Sequence, residues 1–220
     1  MMIAAKGFPV GEVIGTEPGL MLELGVSRAV FREAVRLLEQ DGVAQMRRGP
    51  GGGLVVTAPR ASSVARAAAL HLQFFGAGAD DIFEARTALE LQTADLAAQR
   101  IDRSGIDMLR AAVVEEAELQ DESGHLGSSH IHLVIAELTG NPALRLFVEV
   151  MTWLTPAIPP SDPAAAAERQ ADVRHAHERI AEAIVAGDSS LARHRMLRHL
   201  EGISSYLQEI ERRPAPREPE

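Results

Sequence analysis

The sequence contains no cysteine, and this absence excludes disulfide bonds, thiolate metal sites and cysteine nucleophiles together. Any metal site must therefore be built from histidine and carboxylate side chains. No apolar run approaches the ~20 residues that a transmembrane helix requires. The first residues, MMIAAKGFPVGE, also lack the apolar core of a signal peptide. We therefore expect a soluble, cytoplasmic protein without a membrane partner.

Positive charge is also scarce, because 22 Lys and Arg stand against 31 Asp and Glu, a net charge of −9. This balance argues at first against nucleic acid, since phosphates attract basic surfaces. The charge is unevenly distributed, however. Residues 1–60 hold seven basic and six acidic groups, a balance of +1, whereas residues 61–220 hold 15 and 25, a balance of −10, together with all eight histidines. The asymmetry indicates two domains with different partners.

Two short helices and a hairpin are predicted within residues 1–60. Thr16 suits the N-cap of a first helix that ends at Gly25, and Ser27 can cap a second helix that ends near Asp41. Apolar residues of the second helix recur at helical spacing, which predicts that they face the domain core. They are Val30, Ala34, Leu37 and Leu38. The segments VAQMRR and LVVT flank the glycine-rich stretch GPGGG, a pattern typical of a β-hairpin.

This order of elements predicts a winged helix-turn-helix, in which the second helix enters the major groove of DNA with its N-terminal residues. Ser27, Arg28 and Arg32 lie at that end of the helix, where they can reach phosphates and guanine edges. Arg47 and Arg48 precede the hairpin tip and would form a wing against the DNA. The alternative interpretation is that Arg28 and Arg32 only form a solvated face of the helix and do not contact DNA. A nucleotide-binding loop is excluded, because GPGGG is not followed by Lys-Ser or Lys-Thr.

The remainder of the chain has helical periodicity throughout. The predicted helices span 62–75, 80–101, 104–121, 125–139, 143–155, 164–186 and 188–211. Long amphipathic helices with short connections are typical of an antiparallel bundle. We therefore expect a mostly α-helical chain of four parts: a winged helix-turn-helix over 1–60, a linker helix over 61–78, an all-α bundle over 79–211 and a disordered tail over 212–220.

Three histidines are predicted to face the interior of this bundle: His132, His177 and His199, each of which shares a helix face with apolar residues. Each buried imidazole must satisfy two ring nitrogens, and a shared divalent metal such as zinc or nickel would satisfy one nitrogen on each ring. A polar pocket without metal is the alternative. The other histidines are expected at the surface; these are His71, His125, His130, His175 and His194.

The N-terminal motifs resemble the GntR family of bacterial transcription regulators, in its FadR-like branch. The resemblance rests on Glu17, Gly25-Val26-Ser27-Arg28, Arg32-Glu33-Ala34, Leu37-Leu38-Glu39, Asp41-Gly42 and Arg48-Gly49-Pro50-Gly51-Gly52-Gly53. It implies that Ser27, Arg28, Arg32, Arg48 and Gly49 contact double-stranded operator DNA.

Three features depart from the family pattern. Thr16 replaces the family's Ser, and Pro18 stands where a DNA-contacting Arg is common. About ten residues precede Gly11, fewer than such a domain uses for its full first helix, so this helix is expected to be short or missing.

The resemblance extends through the C-terminal FCD domain of the same branch, in which one carboxylate and three histidines bind a divalent metal. The matching stretches are Glu84-Ala85-Arg86 with Glu90, Ala97-Ala98, HLVIAELTGNPAL, HERIAEAIVAGD and Met196 with His199-Leu200. The resemblance implies that His132, His177 and His199 are the ligands. Ser128 occupies the position of the family's carboxylate ligand. Because the site then lacks an anionic protein ligand, metal binding would be weaker and would depend more on a carboxylate supplied by the effector.

Two further questions remain open, one about the missing carboxylate and one about Arg86. His130 or Glu137 could compensate for the carboxylate that Ser128 replaces. Arg86 matches a family arginine that can reach the pocket and grip an effector carboxylate, although an ion pair with Glu90, four residues later, is an equal alternative.

The sequence therefore predicts a homodimeric transcription regulator, usually a repressor in this family, that binds operator DNA and responds to a small carboxylate. A metal-dependent enzyme is one alternative, since an open coordination position can activate water. No base at HExxH spacing supports it. The other alternative is a ligand-binding or dimerisation module whose DNA-binding part is too short to function.

Overall fold

The computed structural model describes residues 7, 9–118, 126–155 and 163–212. The chain divides into two compact units, one up to Ala68 and one from Ala69 onward. The first unit contains β1 (Val13–Gly15), α1 (Glu17–Leu24), α2 (Arg28–Gln40), β2 (Ala44–Arg47) and β3 (Gly53–Val56). The three strands form an antiparallel sheet in the order β1-β3-β2. The winged helix-turn-helix fold and its hairpin are thus confirmed.

The predicted helix caps of the first unit are present. Thr16 Oγ1 accepts a hydrogen bond from the backbone N–H of Gly19, and Ser27 Oγ accepts one from that of Val30, both at 3.4 Å. Gly25 ends α1 in the left-handed conformation, with a φ of 63°. These side chains satisfy N–H groups that have no partner within the helix, which is why the chain enters each helix at these residues.

The predicted apolar face of α2 was wrong for three of its four residues, since only Leu38 packs against the domain core. Val30 and Leu37 are 57% and 55% exposed, whereas Phe31 and Val35 are buried. Both pairs have helical spacing, so periodicity alone does not decide between them. Burying the Phe31 ring removes more apolar area from water than burying Val30. The helix therefore turns Phe31 toward the core formed with Leu20 and the strand residues Ala44, Leu54 and Val56.

Strand β1 is an element that the sequence did not predict. Its three residues are too few to show an alternating pattern, and it forms by pairing with the free edge of β3. Gly53 permits this pairing. A Cβ at residue 53 would lie 2.4 Å from the carbonyl oxygen of Gly15, and the φ of Gly53 is +155°.

In its described residues, the second unit is helical, as predicted. After α3 (Ala61–Phe74), which spans the boundary between the units, it contains α4 (Ala79–Arg100), α5 (Arg103–Glu118), α6 (Leu126–Leu138), α7 (Pro142–Leu154), α8 (Pro163–Val185) and α9 (Ser189–Arg212). Helix α4 is central and packs against α6, α7, α8 and α9. Its buried residues Ala94, Ala97 and Ala98 have small side chains, which allows neighbouring helices to approach closely.

The core of this unit is mostly aliphatic, and α4, α6, α8 and α9 contribute most of its buried residues. It includes Ile131, Ile135, Ile180, Ile184, Met196 and Leu200. Phe147 and Trp153 of α7 are 47% and 59% exposed and are not part of this core. None of the helices in the described ranges is both long and apolar enough to cross a membrane.

Candidate functional site

Three histidine rings meet inside the helical unit. His132 lies on α6, His177 on α8 and His199 on α9, and they are 2%, 1% and 7% exposed. All three face the interior, as their spacing predicts. The Nε2 atom of His199 lies 3.1 Å from Nε2 of His177 and 3.3 Å from Nε2 of His132. The three rings therefore direct the same ring nitrogen toward one point.

The opposite ring nitrogens of two histidines contact buried carboxylates. Glu90 of α4 accepts a hydrogen bond from Nδ1 of His132. Both carboxylate oxygens of Glu116, on α5, lie 2.8 Å from Nδ1 of His177. Because an ionised carboxylate can only accept, these contacts assign the proton to Nδ1 and leave an Nε2 lone pair on each ring.

This arrangement fits a divalent metal. Two nitrogens that bind a tetrahedral metal at about 2.0–2.1 Å lie about 3.3 Å apart, close to the observed Nε2 separations. The three ligand nitrogens lie within 4.8 Å of one another. Without a metal, a proton on His199 Nε2 would have to be shared between two acceptors. A borderline metal such as zinc or nickel would accept all three lone pairs at once.

Burial holds His177 and His199 in the form that binds metal. It lowers the pKa of His177, although the hydrogen bond with Glu116 opposes this effect. Burial, together with the proximity of His177 and His132, holds the pKa of His199 well below its ordinary value. Both rings are therefore neutral at neutral pH, and a neutral imidazole is the ligand form that metals bind.

Arg86 contacts this centre through Glu90. Its Nε lies 2.6 Å from Glu90 Oε1, and its Nη1 lies 3.2 Å from Thr155 Oγ1. Burial opposes ionisation of Glu90, but His132 and Arg86 outweigh it and hold the pKa of this carboxyl well below its usual range. Of the two predicted roles for Arg86, the structure contains the ion pair with Glu90.

The remaining predictions for this unit concern two substitutes for the carboxylate at Ser128 and the histidines expected at the surface. His130 is partly exposed and lies 3.4 Å from Glu115, while Glu137 is exposed and pairs with Arg145 at 2.5 Å. The hypothesis that either residue compensates at Ser128 was therefore wrong. The side chain of Ser128 lies outside the described part of the chain. His71, His175 and His194 are exposed as predicted, and His125 is not among the described residues.

Glu116 is a site residue that the sequence interpretation missed. It lies 61 residues from its partner His177, so no local motif joins them. A signal was nevertheless available. Glu116 follows the buried residues Leu109 and Ala112 at i+7 and i+4 and therefore lies on the apolar face of its helix. A carboxylate on such a face requires a specific partner.

The predicted DNA-contacting residues are all exposed, on α2 and at the hairpin. Ser27 caps α2, and the side chain of Arg28, 70% exposed, pairs with Glu17 of α1 at 2.9 Å. Arg32 lies one turn further along α2. At the hairpin, Arg48 is exposed and Gly49 has a φ of +96°.

Comparisons with known proteins match this chain to a sequence family and to a solved fold. The sequence model of the family described as "FCD domain" matches residues 81–202. The chain is 32% identical to the Exu regulon transcriptional regulator of Escherichia coli K12 over 146 residues, which is 64% of this chain and 54% of that protein. The chain thus spans about half the length of that curated relative.

Two other similarities cover nearly the whole chain. The transcriptional regulator LutR of Bacillus subtilis is 26% identical over 203 residues, or 90% of this chain and 92% of LutR. The solved structure named Streptococcus agalactiae GntR has a TM-score of 0.68 at 23% identity and covers 93% of this chain and 94% of its own. The structural likeness extends to the fold of both units.

Proposed function

Because the chain belongs to the FCD-domain branch of the GntR family, we propose that it is a cytoplasmic, DNA-binding transcription regulator. A small carboxylate effector would modulate its binding to an operator. The proposed response to an effector rests on one observation, the convergence of three buried Nε2 atoms within the FCD domain. The relatives named above are transcription regulators, which disfavours the metalloenzyme alternative.

The DNA-binding role rests on the exposed end of α2. Ser27, Arg28 and Arg32 would enter the major groove, and Arg48 and Gly49 at the hairpin would contact the backbone or minor groove. A winged helix-turn-helix reads a short half-site, so we propose that two copies bind a pseudo-palindromic operator as a homodimer. Repression that the effector relieves is the proposed outcome.

The effector role rests on the histidine centre. His132, His177 and His199 would hold a divalent metal, zinc or nickel, through Nε2. Such a metal supplies Lewis-acid attraction for a carboxylate at an open coordination position. Arg86, which pairs with Glu90, would place a guanidinium beside the centre that could also attract the effector carboxylate. Ser128 would contribute a neutral hydroxyl where related domains have a carboxylate. The effector can alter DNA binding only by binding two arrangements of the protein with different affinity.

A gel-shift titration with the DNA upstream of its own gene, at low salt, tests the proposal. The wild-type protein should shift this DNA, and the double variant Arg28→Ala/Arg32→Ala should lose at least about tenfold in affinity, since each arginine contact contributes about 1–3 kcal/mol. Arg36→Ala is the matched control, because Arg36 lies on the same helix and pairs with Glu33. A full-length protein that fails to shift the DNA would favour the dimerisation-module alternative.

A further inference from the structure

Two buried carboxylates lie behind the histidine centre. Glu90 is 1% exposed and Glu116 is 6% exposed. They belong to α4 and α5, and neither of these helices contributes one of the three histidines. Each carboxylate contacts the Nδ1 side of a ring, away from the point at which the Nε2 atoms meet.

The two carboxylates differ in how their charge is balanced. Glu90 pairs with the guanidinium of Arg86 as well as with His132. Among the residues the structure describes, the carboxylate of Glu116 has a hydrogen-bond partner only in His177, and its two oxygens share that one Nδ1. Within the described ranges, Glu116 is therefore buried without a Lys or Arg partner. A buried carboxylate in this state is costly unless a cation lies nearby.

We propose that Glu116 is a positioning residue for a metal held by the three histidines. Acting through His177, it fixes the proton on Nδ1 and directs the Nε2 lone pair toward His199 and His132. It also supplies negative charge that three neutral imidazoles lack. A carboxylate behind a ligating imidazole orients the ring and raises its basicity, and its loss commonly lowers metal affinity 10- to 100-fold.

This inference rests on the metal centre of the proposed function and adds to it a residue outside the family motifs quoted above. It also accounts for the neutral Ser128. The compensating charge lies on α5, behind His177, and not on the helix that holds Ser128 and His132. The anionic group lies on the far side of the His177 ring from the point where the Nε2 atoms meet, so it can balance charge without occupying a coordination site.

Zinc affinity of the full-length protein tests this role, measured by competition with a chromophoric chelator after the protein is stripped of metal. Glu116→Gln preserves shape and removes the charge, and it should lower zinc affinity 10- to 100-fold. Glu115→Gln is the matched control, because the adjacent Glu115 is exposed and contacts only His130 among the described residues. The control should bind zinc as tightly as the wild type.

A second readout separates positioning from general stability. The ¹⁵N shifts of the His177 ring in the metal-free wild type should report an Nδ1–H tautomer, and Glu116→Gln should populate the other tautomer, because the glutamine amide can also donate. Wild-type zinc affinity in Glu116→Gln would overturn the inference. So would a loss of zinc affinity matched by an equal loss of stability in the metal-free variant. If the wild type itself binds no zinc, the metal centre fails as well, while the gel shift tests DNA binding independently.

Discussion

His177 and His199 face each other across the interior of the FCD domain, with their Nε2 atoms 3.1 Å apart. Two neutral imidazoles do not attract each other through bare lone pairs, so this approach requires either a shared proton or a shared metal. Glu116 holds the proton of His177 on the opposite nitrogen. The fold therefore brings two proposed metal ligands together at the point where the effector is proposed to bind.

The metal-free protein should lose stability in mildly acidic solution. The pKa values of His177 and His199 are lowered in the folded state, so below pH about 6.5 the unfolded chain binds protons that the folded chain does not. The free energy of unfolding should then fall as the pH decreases below about 6.5, because the unfolded chain takes up these protons first.

Urea unfolding across this pH range measures the effect. His199→Gln should reduce the slope of stability against pH, whereas His194→Gln, on the exposed side of the same helix, should leave it unchanged. Equal slopes in the wild type and His199→Gln would contradict the assignment of His199 as a buried neutral ring.

Removal of Arg86 should destabilise the protein severely. Arg86 and Glu90 are 5% and 1% exposed, and Arg86→Ala leaves Glu90 without its guanidinium partner. Breaking a buried ion pair in this way costs about 3–5 kcal/mol. Arg110→Ala, at an exposed position of α5, is the control and should change the free energy of unfolding by less than about 0.5 kcal/mol. Similar urea midpoints for the two variants would show that the pair is unimportant for folding.

The wing should be intolerant of a methyl group at residue 53. Gly53→Ala places a Cβ 2.4 Å from the carbonyl oxygen of Gly15 and forces alanine to a φ of +155°. A strained backbone of this kind costs about 1–3 kcal/mol. Gly202→Ala is the comparison, since nothing lies within 4 Å of a Cβ there and alanine favours the helix. Thermal unfolding should lower Tm for Gly53→Ala alone; an unchanged Tm would refute the close approach of β1 and β3.

The charge of the centre predicts the charge of its effector. Among the described residues, the buried ionised groups are Arg86, Glu90 and Glu116, with a sum of −1, and a divalent metal raises the sum to +1. A single carboxylate neutralises this charge, whereas a dianion leaves an excess that is costly to bury. Metal-loaded protein should therefore bind succinamate in preference to succinate, two probes of similar size, in a calorimetric titration. Tighter binding of succinate would contradict the charge balance.

Local signals predicted much of this molecule. Thr16, Gly25 and Ser27 marked the ends of their helices because capping depends on adjacent residues. The inward orientation of His132, His177 and His199 also followed from helical spacing, since each ring shares a face with apolar neighbours.

Features that depend on distant contacts were not predicted. The rotation of α2 depends on the cavity that receives Phe31, and strand β1 depends on the free edge of β3. The pairing of Glu116 with His177 joins two helices far apart in sequence. In each case the conformation is decided by contacts with distant parts of the chain, and the periodicity of a single segment carries no information about such contacts.

The most direct test of the histidine centre is elemental analysis of the purified full-length protein, alongside His199→Ala and the exposed control His194→Ala. The wild type and His194→Ala should each contain about one equivalent of zinc, nickel or a similar divalent metal per chain, and His199→Ala should contain far less, because three ligands become two. Purified wild-type protein that contains no metal, and takes up none when zinc is added, would contradict the account.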